Sequence, residues 1–322
     1  MSNDKVKLPG AKPAAAAPAP TAKAQASTHV APLFRRIDWI TFLITFSVVM
    51  LGYYLTLAPE LTLEDSGELA TGSMYAGIPH PPGYPVWTIY TYLWTVLLPV
   101  GNIAWRVALG TAFSGALAAG LLGLLVSRGS SLLMEGIEEL KAMSGNWESS
   151  ICMISGFVAG MLIGFNGFMW SQAVIAEVYA TSVASFMFVL LCLLRWIYAP
   201  HQRRFLYYAM FAFGISFTNH QSLIVAAMGI EVAIAAADYR LGRNLFLWNS
   251  IIYLAGLILK AQKMIGTLDA NPAIFAIFNV VGIGSIAAYL WFANLTKETF
   301  NEFCADLLAL LAVVFLALVP RL

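Results

Sequence analysis

The sequence predicts an all-α, polytopic transmembrane helix bundle. Of its 322 residues, 60% are hydrophobic and 11% charged, less than half the charge of an ordinary soluble domain. No water-soluble fold hides that much apolar surface. The apolar residues fall into ten runs separated by short polar stretches, the pattern of a chain that crosses a bilayer repeatedly. A net charge of +1 excludes a strong general field for nucleic acid, and no nucleic-acid partner is expected.

Residues 1–38 read as a tail. The first 32 are rich in Ala and Pro with scattered Lys, too polar for a cleavable leader, and predict a disordered cytoplasmic segment. Arg35 and Arg36 close the tail ahead of the first apolar run, and residues 39–322 form the membrane module. Positive charge before the first span places the N-terminus in the cytoplasm.

The runs are 39–58, 86–100, 103–126, 151–168, 178–197, 205–217, 222–237, 245–259, 273–293 and 305–319. The second is short for a span and rich in Tyr, Thr and Trp, which favour the membrane interface. If it lies on the surface, eight of the twelve basic residues outside the tail are cytoplasmic: Arg128, Lys141, Arg195, Arg203, Arg204, Arg240, Arg243 and Lys297. Arg106, Lys260, Lys263 and Arg321 are then outside. A crossing would invert that split, so the positive-inside rule predicts nine crossings with the C-terminus outside. Residues 205–237 are read as two short helices meeting at Thr218-Asn219-His220-Gln221, and residues 129–148 as a cytoplasmic amphipathic helix. Glu231, a carboxylate deep in a run, requires a partner inside the bundle.

On this topology the unusual residues gather outside. Four of seventeen carboxylates, Glu60, Glu64, Asp65 and Glu68, fall within nine residues. A helix over 66–75 sets Asp65 and Glu68 near its N-terminus, where free N–H groups and the helix dipole favour ionised carboxylates. Such a group accepts a hydroxyl proton, although acidic residues in an outer loop are commonly just solvated. The next stretch, His80-Pro81-Pro82-Gly83-Tyr84-Pro85, fixes a stiff corner back to the bilayer. Arg106 at the outer end of the third run is either an interface anchor or a phosphate clamp. Glu177 tops the next span, and Asn219, His220 and Gln221 occupy the turn between the short helices. Cys152, Cys192 and Cys304 lack metal or disulfide spacing, and the four histidines form no helical metal pair.

The runs LTLEDSGELATGSMYAGIPHPPGYPVW, NIAWRVAL, WSQAVIAEVYATS and FTNHQSL resemble a bacterial family of GT-C-type integral membrane glycosyltransferases. That family is related to the protein O-mannosyltransferases. The resemblance extends over residues 39–322, and the acidic loop with His-Pro-Pro-Gly is its most specific part. It implies transfer of a sugar from a polyprenyl-phosphate carrier to an acceptor hydroxyl, such as that of a protein Ser or Thr, on the non-cytoplasmic face. By the same resemblance the first outer loop folds as membrane-lying helices. Asp65 is then the catalytic base with Glu68 and His80 beside it, Arg106 faces the donor phosphate, and Glu64, Glu177 and His220 line the site. No metal or other cofactor is expected, and the implied location is a bacterial inner membrane. Family members continue past the position of Leu322. A fragment, or a non-catalytic subunit completed by a second chain, is the alternative reading, and the acceptor is a protein or a glycan.

Overall fold

The computed structural model describes residues 32–62, 64–81, 83–141, 145–297 and 299–318. The expected tail, up to residue 31, lies outside them. Among the described residues every regular element is helical. The compact unit is Leu33–Leu322, and six of its helices are long and apolar enough to cross a membrane.

Helix α1 (Arg36–Leu55) begins within the stretch read as tail. Asp38 is the reason: its carboxylate accepts from the Arg35 backbone N–H at 2.7 Å and from Ser127 at 2.6 Å, closing the helix start on a neighbouring span. The first outer segment then forms α2 (Ser66–Met74) and α3 (Pro85–Leu97). At 13 residues α3 is too short to span and is not among the six. It packs on α2, on α9 and on α4 (Ile103–Glu135).

The sequence places a separate helix over 129–148, and here the structure differs. Helix α4 runs through to Glu135, one short turn α5 (Glu138–Lys141) follows, and α6 (Gly145–Gly164) has already begun by residue 145. Ser127, Arg128 and Ser131 supply polar partners for Asp38, Glu135 and Glu148, so the polar stretch continues the span instead of leaving it.

Helices α1, α4 and α6 form the tightest part of the bundle. Gly156, Gly160 and Gly164 repeat every four residues along α6, and a Cβ at Gly160 would strike Thr45 and the Ala119 carbonyl. Small residues at that spacing let helix backbones approach where no hydrophobic effect drives association. Outward-facing Leu43, Leu51 and Leu162 remain exposed, as lipid-facing residues do.

A short α7 (Gly167–Ala173) leads into α8 (Tyr179–Tyr198), which pairs with α9 (Arg204–Asn219). The break falls at His220, where the sequence placed it. A 3₁₀ turn over Gln221–Ile224 precedes α10 (Val225–Ala237). Helices α11 (Tyr239–Ala261) and α13 (Pro272–Leu295), joined by α12 (Gly266–Ala270), pack together. Helix α14 (Phe300–Leu318) packs on α11. The partner Glu231 requires is Asn249 of α11, which donates to it at 2.7 Å.

Candidate functional site

Helix α2 presents three faces. Ser66, Leu69 and Ser73 are buried against the bundle, while Asp65 and Glu68 project from another side. Asp65 makes no cap bond of its own. Glu68 is fully engaged: His80 donates its backbone N–H to one carboxylate oxygen at 2.6 Å, and its ring Nδ1 lies 3.0 Å from the other. The other ring nitrogen, Nε2, is 3.0 Å from the Tyr84 hydroxyl and 3.9 Å from the Asp65 carboxylate. Glu68, His80 and Tyr84 therefore form a chain of hydrogen bonds with Asp65 at its edge.

The electrostatics follow from those contacts. The His80 hydrogen bonds hold the Glu68 carboxyl below the usual range, and Glu68 in turn holds His80 above the usual imidazole range. Burial pushes the Tyr84 phenol up, so it stays protonated. Asp65, Glu68 and His80 each offer a ligand atom within 4.8 Å of the others. Both Glu68 oxygens and both His80 ring nitrogens already have protein partners, which is the arrangement of a hydrogen-bonded relay.

Tyr84 is set by the corner. It adopts φ +41°, left-handed backbone that costs a bulky residue energy, directly after Gly83 at φ +86°. Pro85 then starts α3 in the first helical position, where its missing N–H is no loss.

Glu177, between α7 and α8, is only 4% exposed. Burial raises its carboxyl, with the negative charges of Glu64 and Asp65 adding to the effect and the Val178 N–H opposing it. Its backbone carbonyl accepts from the Trp87 indole at 3.0 Å and from Thr111 at 3.3 Å. Trp87 also donates its backbone N–H to the Asn219 side chain, and Asn219 donates to Ser182. Next to Asn219, the half-buried His220 ring lies 5.2 Å from that of Tyr179. Asp65, Glu68, His80 and Glu177 thus share one shelf, with Glu177 feeling the charges of Asp65 and His80, and Asn219 brings the backbone of His220 to the start of α3. Glu64 borders it in left-handed backbone at φ +66°.

Arg106 is bonded within the chain. Its guanidinium donates to the carbonyls of Thr95, Val100 and Gly101 at 2.8–3.0 Å, closing the C-terminal end of α3. Eleven residues of helix separate Tyr84 from Thr95, on the order of 16 Å at the α-helical rise. The structure keeps Arg106 out of the carboxylate cluster and makes it a brace for α3. Backbone carbonyls carry no signature in a sequence, which is why the partner was not legible there.

Two cavities lie near the shelf. One of about 560 Å³ is on the far side of α2, between Glu60, Thr71, Tyr75 and Asn102. The other, about 650 Å³, is an apolar groove below α3, bounded by Tyr90, Phe113, Thr181, Phe188, Phe211 and Ser216. Its upper rim, Thr181 and Ser216, is within about one helical turn of Tyr179 and His220. Trp87, Tyr84 and Tyr179 were not singled out from the sequence. The first two stand inside the loop motif already noted, and Tyr179 is two residues past Glu177.

Residues 65–242 match the family of the protein O-mannosyl-transferase TMEM260 N-terminal domain, a stretch that contains every residue of the shelf except Glu64. The mouse Protein O-mannosyl-transferase TMEM260 is 33% identical over 135 residues, 42% of this chain and 16% of the mouse protein. The Dictyostelium discoideum Protein O-mannosyl-transferase tmem260 is 22% identical over 187 residues, 54% of this chain and 20% of that protein. The chain therefore spans a fifth or less of the length of these relatives. No solved structure matches.

Proposed function

Because the chain belongs to the family of the protein O-mannosyl-transferase TMEM260 N-terminal domain, we propose that it acts in transfer of a mannosyl group to a protein hydroxyl, the sugar arriving on a polyprenyl-phosphate carrier. The observation that carries this reading is a carboxylate cluster bonded to Tyr84 at the start of α3 together with an apolar groove lined by Tyr90 of the same helix. The shelf belongs on the non-cytoplasmic face, since the larger share of basic residues lies at the opposite ends of the spans.

In this reading the carrier's isoprenoid chain occupies the groove between α3, α4, α8 and α9. Its phosphate then comes to the level of His220 and Tyr179. Asp65 takes the proton of the attacking acceptor hydroxyl as the new glycosidic oxygen–carbon bond forms and the bond to the carrier phosphate breaks. His80, held by Glu68, stands 3.9 Å from the Asp65 carboxylate and orients it. A carrier phosphate is already a good leaving group, so a base and a shaped site supply the chemistry. Arg106 contributes by fixing α3 through its three carbonyl bonds.

The test is single-turnover transfer from labelled polyprenyl-phosphate mannose in proteoliposomes, with an impermeant acceptor peptide supplied on one side only. Asp65→Asn keeps the shape and loses the proton acceptor, so the chemical step should slow by about 10²–10⁴-fold with donor binding retained. Transfer at the wild-type rate would remove Asp65 from the role of base. Transfer only to peptide on the side of the Arg36 end would invert the orientation.

A further inference from the structure

The end of the bundle opposite the shelf holds two kinds of arginine. Arg35 is neutralised within the chain, by Asp38 at 3.2 Å and Glu148 at 2.6 Å. Those around the α8–α9 turn are less fully offset: Arg128 pairs with Glu135 at 3.1 Å, and Arg195 and Arg204 stand against aromatic rings. The guanidinium of Arg128 lies 5.6 Å from the centre of the Tyr198 ring, and that of Arg195 lies 5.8 Å from the same ring. Arg195 is also 4.9 Å from the Phe205 ring, and Arg204 stands 5.0 Å from that ring. Three guanidiniums thus alternate with two aromatic rings across the ends of α4, α8 and α9.

Little within the chain offsets that charge. Arg128 is 5% exposed, and its one carboxylate is the outward-facing Glu135, leaving its Nε buried without a hydrogen-bond partner. Arg195 donates one N–H to the neutral Gln202 amide, and its Nη1 is likewise buried and unpartnered. Among the described residues no carboxylate lies within ion-pair distance of Arg195 or Arg204. The ring faces attract the cations but leave the in-plane N–H edges free to donate. Arg203 adds a further exposed charge beside them.

We propose that this ladder is a binding site for the phosphodiester headgroup of an anionic phospholipid, held at the α8–α9 turn in the leaflet opposite the carboxylate shelf. A guanidinium fork matches two phosphate oxygens, and the turn stands at the depth where headgroups lie, since α8 ends at Tyr198 and α9 begins at Arg204. General positive-inside charge requires only basic residues at this end, exposed and interchangeable. Burial of Arg128 and stacking of Arg195 between two rings are built features that such a bias does not need. The inference is independent of the transfer reaction.

The full chain, purified in a zwitterionic detergent, is offered equal amounts of dioleoyl phosphatidylglycerol and dioleoyl phosphatidylcholine and examined by native mass spectrometry. Wild type should retain phosphatidylglycerol in preference. One arginine near an anionic headgroup is worth about fivefold in binding, so the Arg195→Gln, Arg204→Gln pair should reduce that preference about 25-fold. The Arg36→Gln, Arg240→Gln pair removes the same charge from this end outside the ladder and should leave the preference in place. An equal fall in both pairs would reduce the ladder to general charge, and no fall in the first would end the proposal. Inorganic phosphate in excess should compete weakly, whereas full displacement of the lipid by phosphate would overturn the headgroup assignment. Should the first pair fail to fold, Arg204→Gln alone, at an exposed position, must still lower the preference about fivefold.

Discussion

Asn219 is the residue on which a single truncation tests how the shelf is assembled. The first backbone N–H groups of a helix have no partner inside it, and Tyr84, preceding α3, provides no side-chain cap. The Trp87 N–H is one of these groups, and it donates instead to the Asn219 side chain at 3.1 Å, from a helix 132 residues away in sequence. Asn219 is 2% exposed and Trp87 0%. Asn219→Ala leaves that N–H buried with no acceptor, a cost of about 1–3 kcal/mol. The second bond, from Asn219 to Ser182, adds less, because the Ser182 hydroxyl keeps its own bond to the Val178 carbonyl. At about 2–4 °C per kcal/mol, the midpoint of thermal unfolding should fall by about 2–12 °C. Cys152 and Cys192 are free and buried while Cys304 is half-buried, so a thiol-reactive fluorophore reports the transition in a Cys304→Ser background. Ser182→Ala removes both the bond from Asn219 and the intrahelical bond to the Val178 carbonyl but leaves the Trp87 N–H capped, so it tests the anchoring of Asn219 and not the cap. A fall of less than about 2 °C for Asn219→Ala would mean that the capping of α3 by α9 contributes nothing, and the account of how α3 is held would be wrong.

Two further expectations concern the groups beside it. Burial raises the Glu177 carboxyl, so its folded-state value lies above its unfolded one. Its contribution to stability is then complete below the ordinary Glu range and is lost as pH rises through the raised value. Glu177→Gln cannot ionise, and each unit of the shift is worth about 1.4 kcal/mol. The thermal midpoint of the variant should therefore gain on wild type from about pH 4 upward, and a difference that does not change with pH would mean that Glu177 is not held in a dry site. Arg106→Lys offers one ammonium where three carbonyls are bonded and should cost about 1.5–3 kcal/mol. Unchanged stability with lost donor affinity would return Arg106 to the phosphate.

What the sequence could show depended on the range of the contacts. Helix α2 was legible because acidic residues ahead of a short periodic stretch act locally, and it was found at Ser66–Met74. The surface-lying reading of α3 came from its length and its Tyr, Thr and Trp content, both local properties. The same local reasoning failed at residues 129–148. There, polar residues that looked like an exit from the membrane are satisfied within the bundle, Ser131 by Glu148 and Glu148 by Arg35, and α4 continues to Glu135. The carbonyl partners of Arg106 were not legible for a related reason. An arginine facing an acidic loop suggests a carboxylate or a phosphate, but three carbonyls at the end of a helix satisfy it as well. The clustering of Asp65, Glu68 and His80 was expected from one loop. The inclusion of Glu177 and His220 needed Trp87, whose two long-range hydrogen bonds no spacing rule encodes.

Helix α3 explains why one short, non-spanning element matters more to the site than its size suggests. It is fixed at both ends by partners from other helices, Asn219 at the first turn and Arg106 at the last. Its N-terminal end carries Tyr84 and through it the His80–Glu68 chain, while Tyr90, in its middle, forms part of the roof of the apolar groove. A displacement of α3 therefore moves the relay and the groove roof together. Loosening either end should disturb both the alignment of the carboxylates and the fit of an apolar chain beneath them. A substitution confined to the groove floor, such as at Phe188 or Phe211, should alter the fit of that chain and leave the relay in place. The two kinds of variant thus separate what α3 couples, and a double substitution at Asn219 and Arg106 should cost more than the sum of the single ones only if the helix moves as one body.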